Sequence, residues 1–140
     1  MRVSRLILVL AAIAVSPFVL AQPPLAPAPQ FVMAPDKLPP KEVQEATLSL
    51  LAAIEAKDFA NFVRVGHDEF KTDLSFEDFT RMVDLIAARQ EKGYTIVYFG
   101  NLKNEPYLVH MWKLSFRDGD RELLGEISIR DGKVAGFHIH

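Results

Sequence analysis

Residues 110–139, HMWKLSFRDGDRELLGEISIRDGKVAGFHI, predict a run of consecutive strands joined by tight turns. Strand-like segments lie on either side of Asp118-Gly119 and Asp131-Gly132. Asp-Gly pairs favour hairpins because glycine readily accepts the positive φ that tight turns demand. The segments RELLGEISIR and KVAGFHIH are therefore predicted to be the third and fourth strands of an antiparallel meander.

Two more strands and three helices are predicted before the first Asp-Gly pair. YTIVYFG and PYLVHMWKLSF supply the first two strands, rich in aromatic and β-branched residues. Helices are predicted in PPKEVQEATLSLLAAIEAKD, DFANFVRV and SFEDFTRMVDLIAARQEKG, and a loop in GHDEFKTDL. In the third helix Ser75 stands three residues before Asp78, which is the spacing of a capping box. Helices followed by strands predict an α+β domain.

The first 40 residues are predicted to lie outside this domain. Residues 1–21 combine Arg2 and Arg5 with an apolar run and a terminal small residue, which is typical of a secretory signal peptide. Residues 22–40 hold seven of the nine prolines, which indicates an extended linker. We therefore expect an exported protein, periplasmic or secreted and free of the membrane after cleavage, with one domain over residues 41–140.

Charge and cysteine content exclude several classes of function. Without Arg2 and Arg5, 14 basic residues face 18 acidic ones, a net charge of −4, and no stretch clusters lysine or arginine. Nucleic acid is therefore not an expected partner, because phosphate backbones are bound through clustered cations. The chain has no cysteine, which excludes thiol catalysis and cysteine-based zinc sites. No cofactor is predicted.

The order of these elements resembles the nuclear transport factor 2-like superfamily, which has a cone-shaped, cystatin-like α+β fold. The resemblance is carried by LLAAIEAKDFANFVRVGHDEF, LSFEDFTRMVDLI and the strands ending in DGKVAGF. It implies three N-terminal helices packed on a curved antiparallel four-stranded sheet. Members of this superfamily include proteins with ligand-binding pockets, isomerases, hydrolases and dimerisation modules. The function of this chain must therefore be argued from its own site.

The second strand predicts which side chains face the interior of the cone. Alternate residues of a strand face opposite sides of a sheet. The more apolar side carries Leu108, His110, Trp112, Leu114 and Phe116, so we predict that it faces the core. The predicted pocket-lining residues are His110, Trp112, Leu108, Leu114, Tyr94 and Tyr98.

His110 is the one candidate catalytic residue. A neutral imidazole in an apolar cleft can act as a general base or orient a ligand. The alternative is a core histidine satisfied by a backbone carbonyl or a neighbouring tyrosine. Because the sequence shows no paired acid and base, the favoured function is a non-enzymatic module that binds a small apolar ligand or a protein partner. An isomerase or hydrolase with His110 as base remains the alternative.

The last strand allows two registers. A two-residue turn at Asp131-Gly132 would place His138 and His140 on the Trp112 face, whereas a bulge would place Ala135, Phe137 and Ile139 there. The bulge is favoured because it buries more apolar surface.

Two surface features carry further predictions. His138 and His140 point the same way and are weak metal-ligand candidates, though a metal site would need a third ligand. Val109, Met111 and Leu124 make the outer sheet face apolar enough to suggest a homodimer.

Overall fold

The computed structural model describes residues 30–33 and 38–140. The signal peptide predicted over residues 1–21 and most of the linker predicted over residues 22–40 lie outside the described residues. The elements are β1 (Gln30–Met33), α1 (Lys41–Glu55), α2 (Phe59–Arg64), α3 (Asp68–Asp73), α4 (Phe76–Gln90), β2 (Tyr94–Asn104), β3 (Tyr107–Phe116), β4 (Leu123–Arg130) and β5 (Lys133–Ile139). The predicted α+β class is confirmed, and the described residues form four helices rather than three.

The additional helix, α3, lies where the sequence predicted a loop, so that prediction is wrong. Six residues are too few to show a helical period, and a helix this short depends on its packing. Phe70 is buried, and the His67 N–H donates to the Val134 carbonyl at 2.6 Å. Contact with β5 therefore stabilises α3.

The start of α4 follows the predicted capping box. The Asp78 N–H donates to Ser75 Oγ at 3.1 Å, and the Ser75 N–H donates to Asp78 Oδ2 at 3.2 Å. Each bond satisfies a backbone donor that has no partner within the helix. Beyond the last turn Gly93 adopts a φ of 94°, which favours glycine and separates α4 from β2.

The strands form one sheet in the order β1-β2-β3-β4-β5. The last four strands are antiparallel, whereas β1 pairs in parallel with β2, with Gln30 opposite Thr95. β1 lies within the segment predicted as a linker, which did not include a strand. It occupies one edge of the sheet, and its four residues, QFVM, include no proline, so it lacks none of the backbone donors that proline would remove.

β3 and β4 pair with Trp112 opposite Gly125, which is the register that a two-residue turn at Asp118-Gly119 predicts. The turn before β5 combines the two arrangements considered. Asp131 and Gly132 form a two-residue turn with φ values of 50° and 75°, so that Arg130 pairs with Lys133.

A bulge then follows within β5 itself. Ser128 pairs with Gly136 and Ile129 with Val134, which leaves Ala135 unpaired. Val134 and Phe137 are therefore both buried, and His138 and His140 are exposed. The favoured bulge is correct for Phe137 and for the two histidines, but Val134 takes the core position expected for Ala135.

The inward-facing side of β3 is also as predicted. Trp112 is 2% exposed, whereas Val109 and Met111 on the opposite side are half-buried. Aromatic rings continue the core from the sheet to the helices. Ring centroids are 6.1 Å apart for Trp112 and Phe137, and 5.8 Å apart for Phe137 and Phe62.

Candidate functional site

His110 lies in the middle of β3 and is fully buried. It faces inward because strand alternation places it on the same side as Trp112 and Leu114. Its cross-strand partners are Asn101 on β2 and Ile127 on β4. The only histidine buried among the described residues is therefore held on a rigid central strand.

One ring nitrogen of His110 is bonded to a tyrosine. Tyr98 Oη lies 2.7 Å from His110 Nδ1, and the two rings stack with centroids 6.0 Å apart. The amide Nδ2 of Asn101 lies 3.5 Å from Tyr98 Oη. The interpretation of His110 as a core histidine satisfied by a tyrosine therefore describes Nδ1.

The other ring nitrogen, Nε2, has no hydrogen-bond partner among the described residues, although it is buried. Leaving such a group unpaired costs about 1–3 kcal/mol, so an unpaired buried nitrogen in a native fold needs an explanation. The contact with Tyr98 satisfies Nδ1 but not Nε2. Trp112 Nε1 and Gln90 Oε1 are also buried without a partner among the described residues. His110 differs from those two residues because it lines a cavity.

Burial lowers the pKa of His110 below its usual value of 6.5. The folded protein therefore holds a neutral imidazole at neutral pH. Because the unfolded chain takes up this proton near pH 6.5 and the folded chain resists it, the site favours folding above that pH. The free energy of unfolding falls as the pH drops below that value.

His110 lines a cavity of about 300 Å³ between the start of α1 and one end of β3, β4 and β5. That volume is at the lower end of the range for small-molecule sites, roughly 300–1,000 Å³. The lining residues are Pro40, Glu42, Val43, Ala46, Val65, Leu108, His110, Ile129, Gly132 and Val134. Glu42 is exposed, so the imidazole is the buried polar group of a largely apolar chamber.

The residues predicted to line one pocket divide between this cavity and the packed core. Leu108 and His110 line the cavity. Tyr98 reaches it only through His110, because its hydroxyl bonds Nδ1. Trp112, Leu114 and Tyr94 are buried in the core and do not line the cavity, because the helices fill the sheet at that level.

A larger groove of about 570 Å³ runs between α3, α4 and β5. Its apolar walls include Met82, Leu85 and Phe137. Two of its charged groups already have local roles, since Asp78 caps α4 and pairs with Arg81. None of the buried polar atoms without a partner in the described part of the chain belongs to a residue that lines this groove.

The histidines at the chain end are placed as surface residues. His138 and His140 stack with ring centroids 6.2 Å apart, and His140 Nε2 lies 3.9 Å from Glu126 Oε2. Within residues 30–33 and 38–140, no group of three or more histidine, cysteine or acidic side chains is arranged to hold a metal. The third ligand required for the predicted site is not brought to them.

Several cavity residues carried no signal in the sequence. Val43 and Ala46 belong to ordinary apolar positions of α1, Glu42 lies at the start of that helix, and Val65 follows the end of α2. The register of β2 brings Asn101 beside Tyr98, and a bulge between Tyr98 and Gly100 sets that register. Only the apolar setting of His110 could be found from strand alternation.

Comparisons with known proteins add structural neighbours only. No family model and no curated protein matches the chain. An uncharacterized cystatin-fold protein from Novosphingobium aromaticivorans is similar at 14% identity and a TM-score of 0.37, covering 69% of this chain and 95% of that one. TerC, co-crystallized with polyporic acid, is similar at 14% identity and a TM-score of 0.38, covering 71% and 91%.

AclR from Streptomyces galilaeus is similar at 15% identity and a TM-score of 0.38, covering 71% of this chain and 89% of that one. At these levels of similarity none of the three carries an argument about function. None of the described helices has the length and hydropathy needed to cross a bilayer.

Proposed function

We propose that this chain is an exported, non-enzymatic member of the nuclear transport factor 2-like superfamily that binds a small, largely apolar ligand in the His110 cavity. The observation that carries the proposal is the buried, unpaired Nε2 of a residue that lines a chamber of about 300 Å³. A ligand in this chamber would remove apolar surface from water. It would also give Nε2 a partner once the side chains around His110 move to expose that nitrogen, which is fully buried in the ligand-free fold.

The contacts of His110 favour binding over general-base catalysis. Catalytic imidazoles that take up a proton are commonly oriented by a carboxylate, which stabilises the imidazolium that forms. Here Nδ1 faces the hydroxyl of Tyr98 rather than a carboxylate, and burial lowers the pKa of the His110 ring. Both effects weaken His110 as a base, whereas neither affects its use as a hydrogen-bonding anchor.

A cavity-filling variant tests the binding proposal. Ala46→Leu places extra side-chain volume inside the chamber, so it should weaken the binding of acetophenone about tenfold or more, the loss expected for about 1.4 kcal/mol. Binding is followed by backbone amide NMR shifts of Leu108, His110 and Val134 during titration.

Ala52→Leu is the matched control, because it adds the same volume on the exposed side of the same helix. It should leave the affinity unchanged. Saturable shifts that are confined to other parts of the sheet, or equal affinities for the two variants, would contradict the proposed site.

A homodimer through the outer sheet face is a separate proposal. It is supported by Val109, Met111 and Leu124, which are half-buried on the side opposite the core. Lys113 on the same face pairs with Glu122 at 2.9 Å, so the interface would mix apolar and charged groups. A strictly monomeric mass in sedimentation at micromolar concentration would count against it.

A further inference from the structure

We infer that His110 donates a hydrogen bond from Nε2–H, and that the cavity selects uncharged ligands that carry a hydrogen-bond acceptor such as a carbonyl oxygen. This inference rests on the proposed function and deepens it. It follows from the chain of hydrogen-bonding groups formed by Asn101, Tyr98 and His110. It also uses the charge of Glu42, an exposed residue that lines the cavity.

The direction of the hydrogen bonds fixes the position of the imidazole proton. A phenol is the better donor and an imidazole nitrogen the better acceptor of the pair, so Tyr98 Oη–H donates to Nδ1 across their 2.7 Å separation. The Asn101 amide approaches the phenol oxygen at 3.5 Å and occupies its acceptor side. With Nδ1 accepting, the single proton of the neutral ring is on Nε2.

A buried N–H donor needs an acceptor. A ligand that displaces a water from Nε2–H therefore keeps that hydrogen bond only if the ligand itself carries an acceptor. An alkane would fill the chamber and leave Nε2–H unpaired. An anion is disfavoured, because Glu42 lines the chamber and the ring carries no charge. The matching ligand is therefore an uncharged apolar molecule with one acceptor.

Two probes of nearly equal shape isolate this hydrogen bond. Acetophenone has a carbonyl where α-methylstyrene has a CH₂ group, so the ratio of their dissociation constants reports the acceptor. In His110→Phe we expect the affinity for acetophenone to fall about tenfold relative to that for α-methylstyrene, because the variant has lost the donor. The difference in hydration between the two ligands is the same for both proteins, so it cancels when the ratios are compared.

Tyr98→Phe supplies a second variant that keeps the imidazole. It removes the hydroxyl that fixes the proton on Nε2, so the preference for acetophenone should fall while α-methylstyrene binds as before. If His110→Phe fails to fold, this variant carries the test. Tyr98 acts as a positioning residue, since it does not line the cavity.

The outcomes separate the two proposals. Binding of both probes with a ratio that neither variant changes would overturn the acceptor preference and leave the ligand site standing. Failure of both probes to bind the unaltered protein would contradict the ligand site and the acceptor preference together. A shift of the ratio in the expected direction supports both.

Discussion

Replacing Phe62 by alanine is expected to lower the free energy of unfolding by about 3–5 kcal/mol, the loss typical of a fully buried aromatic residue. Phe62 is completely buried, and its ring centroid lies 5.0 Å from that of Phe79 and 5.8 Å from those of Phe70 and Phe137. It therefore contacts α3, α4 and β5 from a single position on α2.

A loss of this size is a large fraction of the 5–15 kcal/mol that stabilises a typical domain. Urea denaturation measures it, and a lower midpoint at an unchanged slope would report the loss of stability. Phe76→Ala is the matched control. Phe76 is 65% exposed, so its loss should cost about 1 kcal/mol or less. Equal losses for the two variants would contradict the central position of Phe62.

Adding one methyl group at Gly125 is expected to destabilise the fold by about 1–3 kcal/mol through overpacking, or more if the indole cannot move. An ideal Cβ at this position would lie 2.3 Å from Trp112 Nε1 and 2.7 Å from Trp112 Cε2. The indole is rigid and 2% exposed, so no flexible end can move aside. The glycine is required for space rather than for an unusual backbone conformation.

Two further variants identify the cause. Gly136→Ala on the neighbouring strand meets Ser128 Cβ at 3.5 Å, an ordinary contact, and should change the stability little. Trp112→Phe should be less damaging in the Gly125→Ala background than alone, because the smaller ring leaves room for the methyl group. Thermal or urea unfolding of the unaltered protein, Gly125→Ala, Trp112→Phe and the double variant measures this coupling. Strictly additive losses of stability would show that Trp112 is not the obstacle.

Much of the scaffold follows from local rules in the sequence. The helix predicted in PPKEVQEATLSLLAAIEAKD, the capping box at Ser75 and the alternation of β3 all depend on neighbouring residues, and each appears in the fold. The inward face of β3 could be predicted because its apolar excess is large. The β3–β4 register followed from the placement of Asp118-Gly119.

The remaining features depend on distant partners. α3 is held by contacts such as Tyr107 Oη–H to Glu69 Oε1 at 2.7 Å, which joins residues 38 positions apart. The bulge at Ala135 reflects competition between a favourable Asp-Gly turn and the burial of Phe137. Neither a local period nor a turn motif encodes such trade-offs.

The candidate site also has some features that the sequence predicts and others that it does not. The apolar setting of His110 could be predicted, whereas its unpaired Nε2 and the chamber beside it could not. The cavity arises from a gap between α1 and the ends of three strands, and no residue type marks a gap. The link to Asn101 depends on the irregular register of β2.

The protonation of His110 is the claim on which the site depends, and nitrogen-15 NMR of the histidine side chains in the ligand-free protein measures it directly. We predict a neutral ring at pH 7 with the proton on Nε2 and an unprotonated Nδ1, and resistance to protonation as the pH falls below 6.5. A proton on Nδ1 with a bare Nε2, or a ring already charged at neutral pH, would contradict this account of the site.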